Sequence, residues 1–499
     1  MGILNEIIRI QGYLGDTRPL YTRKLEILQE CIYGVDIQPM ATEIARLRCF
    51  LSLIIDENPS DIKPLPNLEF KFISANALLP LQTSLQDSRG RQLGSDIYEK
   101  GLIELQQIRA ETFTSHDKIA LQSKYKATID KIAKDLFFEA QGETPLTKWN
   151  PFNPNDIAQF FDSAYMFGVE SFDIVIGNPP YGAKIDEAQK KIFKDIYRHT
   201  TQGDINTYKL FIEKGFDLIK KNGNLAYIVP LSITSSKSNI ALHQMLLDNC
   251  EWIEVSSYGH RPVKIFHNAE QRLSIISFLK TNSKCKKLMT TKLNKRYANQ
   301  TLDNLINNMD FIDSLDFIQN GAFCKIGLPI EKFIMQKLYA QKQTLKSLMK
   351  GKERIYYRDT GGGYYDLYTS YSTTQSTTQK SFEACDSKAL VALMSSTLFW
   401  WFRNAYSEGR HSYVYEFERF PIPKLSKQTL VNPDKLGKKL QADIEKKANF
   451  TSTGTKEYRL RKSKHIIDEI DRLICPLYGL SDEEMEFIIN YDIAFRTDD

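Results

Sequence analysis

A chain of 499 residues is long enough for two or three domains with cores of their own. Its 42% apolar and 25% charged content is ordinary for a globular protein, and a net charge of +5 is too mild to indicate a partner by itself. No stretch approaches the roughly eighteen apolar residues of a membrane span, and no secretory signal opens the chain, so a cytoplasmic location and no membrane partner are expected. The seven cysteines are scattered with no CxxC pair, which argues against a disulfide framework and a zinc site, and no metal is expected.

In chain order, the first thirty residues read as helices, with Ile3, Leu4, Ile7 and Ile8, then Leu25, Ile27 and Leu28, at helical spacing. Residues 31–37 form a short strand ending on Asp36. A helix follows from Pro39, with proline at a tolerated position and Ile44, Leu47, Leu51 and Ile54 on one face. Residues 68–73 read as a second strand, ending at Ser74-Ala75-Asn76. Residues 81–150 are polar and Gln/Lys/Glu-rich, and are expected to be a helical insertion.

The apolar, β-branched run 172–177 reads as a buried parallel strand, and it stops at Asn178-Pro179-Pro180-Tyr181. Strand ends of open α/β sheets are where ligands bind. Two prolines remove two backbone donors, so this loop offers carbonyls, one amide side chain and an aromatic ring. Those parts suit an exocyclic amine on a planar base. The Asn178 oxygen and the Pro179 carbonyl can grip both N–H bonds of such an amine and turn its lone pair toward an incoming methyl group, with Tyr181 stacked on the base. A plain Pro-rich turn is the competing reading, and the strand before it favours function.

The alternation resumes with a helix over 204–221, a strand over 225–230, a helix over 238–249 and strands at 253–255 and 273–279, which predicts a doubly wound α/β sheet. Beyond Lys280 the texture changes. Lys284, Lys286, Lys287, Lys292, Lys295 and Arg296 occur with no acid between 281 and 300. A second lysine-rich stretch runs from Lys332 to Arg358, followed by Gly361-Gly362-Gly363-Tyr364-Tyr365 and a Ser/Thr/Gln/Tyr-rich loop over 368–381. Basic side chains interleaved with tyrosines, among them Tyr356 and Tyr357, suit combined phosphate and base contact. A solvated helix face is the commoner fate of a lysine run.

Taken together, residues 33–41 around Asp36, the strand ending at Asn76, Asn178–Tyr181, Asp204–Phe211 and Leu225–Pro230 resemble the gamma-class N6-adenine DNA methyltransferases of TaqI type and their longer type IIG restriction-modification relatives. Residues 390–423, with Phe399-Trp-Trp-Phe402 and Arg419-Phe-Pro-Ile-Pro423, resemble the target-recognition domain of that family, and residues 470–480 its closing helix. The resemblance implies a Rossmann-like catalytic domain over 1–283, a mixed α+β recognition domain over 284–430 and a helical segment over 431–499. It implies S-adenosylmethionine as cofactor and double-stranded DNA as partner. Asp36 then accepts the ribose hydroxyls, although it also precedes a helix and could serve as an N-cap. Ile37 packs on the cofactor adenine or belongs to the core. Asn76, where the family often has Asp, contacts the adenine amine, and Phe266, before His267, faces Tyr181 across the flipped base unless it is core.

The family opens its catalytic domain with a strand and a Gly-rich loop, and neither precedes Asp36 here. The first strand is therefore read as missing, and a separate polypeptide is expected to supply it, or to supply a nuclease; alone, the chain is expected to be inactive and prone to aggregate. Two other functions remain open: a catalytically inactive DNA-binding specificity subunit, and a protein or RNA amino-methyltransferase, whose relatives use a similar loop but are usually compact.

Overall fold

In a computed structural model the chain is described over residues 2–55, 57, 65–82, 96–115, 117–137, 142–266, 270–359, 366–373, 379–409, 411–424, 427–450 and 456–496. His267, the run Gly361–Tyr365 and residues 374–378 of the Ser/Thr-rich loop lie outside these. The chain divides into two compact units. The first comprises residues 1–173, 184–201 and 213–220, and the second residues 174–183, 202–212 and 221–499.

The first unit opens with helices α1 (Gly2–Tyr13) and α2 (Leu20–Glu30), followed by β1 (Gly34–Asp36), α3 (Pro39–Ile54) and β2 (Phe72–Ser74). Strands β1 and β2 pair in parallel, Asp36 opposite Ser74, and the Ala75 N–H extends the ladder to the Asp36 carbonyl at 2.9 Å. The second strand is shorter than its apolar run because residues 69–71 turn into it instead of extending. The insertion is a helical hairpin, α4 (Asp96–Thr114) and α5 (Lys118–Leu136), with Asp117 capping α5 through the Ala120 N–H. Its helices approach closely at Gly101, where a Cβ would fall within 2.4 Å of Ile132, so only glycine fits. Leu105, Ile108, Tyr125, Ile129 and Ile132 close a core with Trp149 and Phe160.

Helix α3 departs from its expected orientation. Leu53 and Cys49 enter a core with Leu4, Leu28 and Phe72, while Thr42 Oγ1 meets Ser74 Oγ at 3.0 Å and Arg46 reaches the Phe72 carbonyl at 2.5 Å. These contacts turn Ile44, Leu47 and Leu51 outward, where they are 44%, 55% and 51% exposed.

The second unit is built on a six-stranded sheet in the order β3-β4-β6-β5-β7-β8, with β3 (Phe172–Gly177), β4 (Ile219–Pro230), β5 (Cys250–Tyr258), β6 (Leu273–Lys280), β7 (Lys287–Asn294) and β8 (Ile312–Asp313). Helix α6 (Thr207–Leu218) leads into β4, and α7 (Ile240–Asn249) joins β4 to β5. The sheet is mixed: β6 runs antiparallel to both β4 and β5, and β5 is parallel to β7. Strand β3 stands at the edge of this sheet. Ile174 and Ile176, which share one face of the strand, are 66% and 56% exposed instead of buried, and β4 is the only strand beside β3 among the described residues.

Helix α8 (Leu302–Asn307) lies between β7 and β8 in sequence. After β8 come α9 (Pro329–Tyr339), α10 (Ser387–Ser395), α11 (Thr397–Tyr406), α12 (Lys427–Lys446) and α13 (Lys464–Ile474), with strands Glu353–Arg358 and Gln379–Ala384 paired antiparallel. One core runs from Phe317 to Ile488 and includes residues of α12 and α13. Phe399, Phe402 and Phe420 pack edge to face at 5.0–5.2 Å, and the Trp401 indole donates to Glu331 at 3.0 Å, so the Phe-Trp-Trp-Phe run is a packing element. Tyr357, expected at a base, is buried against Phe417. Among the described residues no helix is long and apolar enough to cross a membrane, and no group of three or more His, Cys, Asp or Glu could hold a metal ion.

Lys325 is enclosed in this unit, its Nζ 3.2 Å from the Ala405 carbonyl and 3.4 Å from Thr234 Oγ1. Burial lowers its pKa from 10.5 to about 7. The native state therefore holds fewer protons than the unfolded chain between those values, and stability falls as pH drops from about 10.5 to about 7 and then levels off. Lys325→Met, which keeps the stem and removes the titration, is expected to raise stability at pH 7 by a few kcal/mol, since each pH unit between the two values costs the native state at most about 1.4 kcal/mol. Denaturant unfolding should show that gain shrinking as the pH is raised toward 10. A gain independent of pH would contradict the assignment.

Candidate functional site

The turn after β3 is assembled from outside itself, since its two prolines supply no N–H for an internal bond. Gly177 lets the strand pass Tyr227, whose ring edge would lie 3.2 Å from a Cβ there. Asn178 and Pro180 are exposed, Pro179 is buried and Tyr181 is half-buried. The Tyr181 hydroxyl lies 2.7 Å from Asn178 Oδ1 and 3.0 Å from the Ile228 carbonyl, so its one proton is shared between two acceptors. Burial pushes this phenol up to about 12, which keeps it a donor throughout the neutral range.

Two residues before and at the start of α6 complete the clamp. Asn206 Oδ1 accepts the Gly182 N–H at 3.1 Å, and the Thr207 hydroxyl donates to the Pro180 carbonyl at 2.6 Å. The next residue, Tyr208, places its hydroxyl 3.3 Å from Ser232 Oγ, and Asn239 donates to the Ser232 carbonyl at 2.9 Å. The end of β4 and the turn after β3 are thus tied to the same short segment. Beside that segment opens a cavity of about 840 Å³, whose wall includes Asp204, Ser232, Lys237, Tyr413 and Tyr415. The two tyrosines stack at 5.3 Å, and the Lys237 ammonium sits 3.7 Å from the centre of the Tyr415 ring.

The expected cofactor residues lie in the first unit. Asp36 is exposed at the end of β1, one carboxylate oxygen accepting the Gln38 N–H at 2.8 Å. The N-cap position of α3 is Gln38, so Asp36 forms a turn before the helix and does not cap it. Ile37 is 54% exposed and is not core. Asn76 lies two residues past the end of β2; its Oδ1 accepts the Leu78 N–H at 3.2 Å and its own N–H donates to the Ala158 carbonyl at 2.9 Å. Strand pairing therefore brings Asp36, Ile37 and Asn76 to one end of the β1–β2 pair. Asn178, Pro179, Pro180 and Tyr181 form a second group in the other unit, where the Tyr181 hydroxyl bonds back to Asn178. Phe266 belongs to the second unit and is 38% exposed, which excludes a core role.

Asn206, Thr207, Tyr208, Ser232 and Asn239 do not stand out individually in the sequence. The polar stretch Asp204–Tyr208 ahead of an apolar helix is the available signal, but the partners of its side chains depend on tertiary approach.

Residues 30–266 match the family described as Eco57I restriction-modification methylase. Curated relatives are type II methyltransferases: RM.Eco57I of Escherichia coli, a restriction enzyme and methyltransferase, is 22% identical over 249 residues, covering 48% of this chain and 18% of that protein. M.TthHB8I of Thermus thermophilus is 39% identical over 70 residues, 12% of this chain and 16% of that one. RM.MjaORFECS2P of Methanocaldococcus jannaschii is 25% identical over 285 residues, 45% and 24% of the two chains. The matched regions thus span a quarter or less of the length of these relatives. Among solved structures the chain is similar to the type IIL restriction-modification enzyme MmeI in complex with DNA, at 11% identity and a TM-score of 0.49, over 99% of this chain and 76% of that one, a likeness too distant to carry fold or function across.

Asn206→Ala is expected to release the turn without unfolding the unit. A hydrogen bond of roughly 0.5–1.5 kcal/mol is lost, so the Gly182 amide should exchange its hydrogen several-fold faster while amides of β6 keep their protection. Unchanged exchange at Gly182 would remove Asn206 from the clamp.

Proposed function

We propose that this chain is the methyltransferase part of a restriction-modification enzyme, methylating N6 of an adenine flipped out of double-stranded DNA. One observation carries the reading: the amide of Asn178 and the carbonyl of Pro179 stand at the end of β3 in a turn held rigid by Tyr181, Asn206 and Thr207. The adenine amine has its lone pair in the ring and is a weak nucleophile. Asn178 Oδ1 and the Pro179 carbonyl each accept one of its N–H bonds, which favours a pyramidal nitrogen with its lone pair free. The Tyr181 ring walls the base while its hydroxyl fixes which way the Asn178 amide faces, and Phe266 lies on the opposite side of the base. No strong base is needed, because the proton leaves after the methyl group has arrived.

S-adenosylmethionine supplies, when bound, an electrophilic methyl group on a sulfonium centre. The first unit fits its adenosine end: Asp36 has a second carboxylate oxygen for ribose hydroxyls, Ile37 offers an exposed apolar face, and Asn76 offers an amide. The segment from about residue 284 to 430 binds and reads the DNA, with exposed Lys284, Lys287 and Arg358 on phosphates. The match to the Eco57I methylase family and the type II relatives support this reading.

The edge of β3, which has no strand beside it other than β4 among the described residues, with Ile174 and Ile176 exposed, also supports a partner that adds a strand there, in a separate polypeptide or another segment. Such a strand would back the catalytic turn from its open side, and the activity of the chain is expected to depend on it. Ile174→Lys with Ile176→Lys is expected to keep the chain monomeric and soluble and to block rescue by a strand-bearing partner. Methylation unaffected by the double substitution would sink the partner.

Asn178→Ala is expected to lower methyl incorporation into duplex DNA about 10²–10³-fold, the scale of one lost transition-state contact, in whichever assembly methylates. DNA affinity should stay within about twofold and fall with salt at a log–log slope of roughly −0.9 per neutralised phosphate. A near-normal rate in the variant would refute the site.

A further inference from the structure

The cavity of about 840 Å³ beside the clamp is lined by the second unit, and Asn178–Tyr181 are not among the residues that line it. Its aromatic wall is Tyr413 and Tyr415. Four rings nearby in sequence, Phe399, Phe402, Phe417 and Phe420, are buried and meet at steep angles, as core rings do. Tyr413 and Tyr415 instead lie nearly parallel, with 15° between their planes and 5.3 Å between their centres, and Tyr413 is 39% exposed.

The two rings are held differently. Tyr415 has the Lys237 ammonium 3.7 Å and the Arg419 guanidinium 5.9 Å from its ring centre, so cations fix it in its half-buried place. Tyr413 has Tyr415 on one side and, at 6.0 Å and tilted by 43°, the His411 ring, which does not continue the stack. An exposed ring that ends a held stack at a cavity of ligand size presents a flat face to a second planar ring. Charge narrows the class of that ring. Lys237 shares the wall with Asp204, Glu408 and Glu416, of which Glu416 is occupied by Arg403 at 3.3 Å. Carboxylates repel a phosphate but leave an uncharged nucleobase unaffected, and half-buried Ser232 and Ser236 bring hydroxyls for its edge.

We propose that this cavity takes a nucleobase of the DNA out of its stack and that Tyr413 is the ring on which it lies. This is a second base, distinct from the adenine whose amine meets Asn178. Every base has a π-face, so such stacking holds a base without selecting it and needs no cation. The cavity wall and the catalytic turn are joined: Ser232 meets the Tyr208 hydroxyl at 3.3 Å, and Thr207, one residue earlier, donates to the Pro180 carbonyl. A base held at Tyr413 therefore anchors the duplex beside the turn while the adenine is extruded. The assignment rests on the DNA reading above and deepens it by naming a residue that binds through contact with a base, not through charge.

The test uses the full chain and a DNA duplex pool of random sequence, with affinity measured across a range of salt. Tyr413→Ala is expected to weaken binding roughly 5- to 150-fold, the share of one stacked base. The log–log salt slope should not change, because stacking displaces no counterions. Tyr413→Phe keeps the ring and should stay within about twofold of wild type. In a pool carrying 5-iodouracil in place of thymine, light should cross-link the wild type at Tyr413. Thermal unfolding checks that the variants fold; should the alanine variant fail, Tyr413→Leu, which fills the space without a π-face, replaces it with the same expected loss. Wild-type affinity in the alanine variant, a shallower slope in it, an equal loss in the phenylalanine variant, or cross-links only at other residues each overturn the proposal. Absence of DNA binding by the wild type overturns this proposal together with the functional reading, whereas binding that survives loss of the ring overturns this proposal alone.

Discussion

A turn built on two consecutive prolines cannot hold itself, and the second unit is organised around holding it. Pro179 and Pro180 contribute no N–H, so apart from the Tyr181 hydroxyl's bond to Asn178 Oδ1 the bonds that fix the turn come from neighbours: Thr207 donates to the Pro180 carbonyl, Asn206 accepts the Gly182 N–H, and the Tyr181 hydroxyl reaches the Ile228 carbonyl of β4. The same absence of donors leaves the turn's own acceptors uncommitted to its backbone. Rigidity and chemical readiness therefore have one cause. The segment that supplies the clamp also reaches Ser232, which Asn239 holds in turn, so the start of α6, the end of β4 and the turn move as one piece.

The same constraint separates what is legible in sequence from what is not. Strand followed by Asn-Pro-Pro-Tyr is a local pattern, and local patterns survive folding: β3 ends at Gly177, where the apolar run stops. Residues 81–150 read as helical from their polar, Gln/Lys/Glu-rich composition, and α4 and α5 lie within them. Periodicity reports which residues share a face but not what that face meets. Ile44, Leu47 and Leu51 do share a face of α3, and it is the outer one, because Thr42, Arg46, Cys49 and Leu53 make the inward contacts. Ile174 and Ile176 are β-branched residues of a strand, but only the strand order shows that they stand at an edge.

Aromatic runs mislead for a related reason. A cluster of rings beside lysines suits nucleic acid and suits a core equally well in composition. Phe399, Phe402, Phe417 and Phe420 form edge-to-face and tilted contacts with one another and with Tyr357 and Tyr368, which removes all six rings from solvent. That core is pinned by buried polar groups from the chain's far end. Asp471 accepts the Thr397 N–H at 2.8 Å at the start of α11, and burial raises its carboxyl to about 6. Arg496 donates to Thr397 Oγ1 at 3.0 Å, beside the face of the Trp400 ring. Residues beyond 430 are thus structural partners of the segment before them.

The ion pairs of the basic segments bear on how DNA would be recognised. Counted in sequence, the run from Lys284 to Arg296 is a strip of uncompensated charge. In the folded chain Lys286 pairs with Glu251, Lys295 with Asp492, Lys337 with Glu484 and Lys346 with Glu418, and Arg296 is occupied by two carbonyls. Lys295, with 13% of its side chain exposed, and Arg296 are worth little to a passing phosphate, whereas an exposed pair such as Lys286–Glu251 costs little to part. The salt slope of DNA binding should accordingly report fewer phosphates than the lysine count suggests. Distinguishing one base edge from another then rests on hydrogen-bond geometry, which, unlike charge, differs between bases.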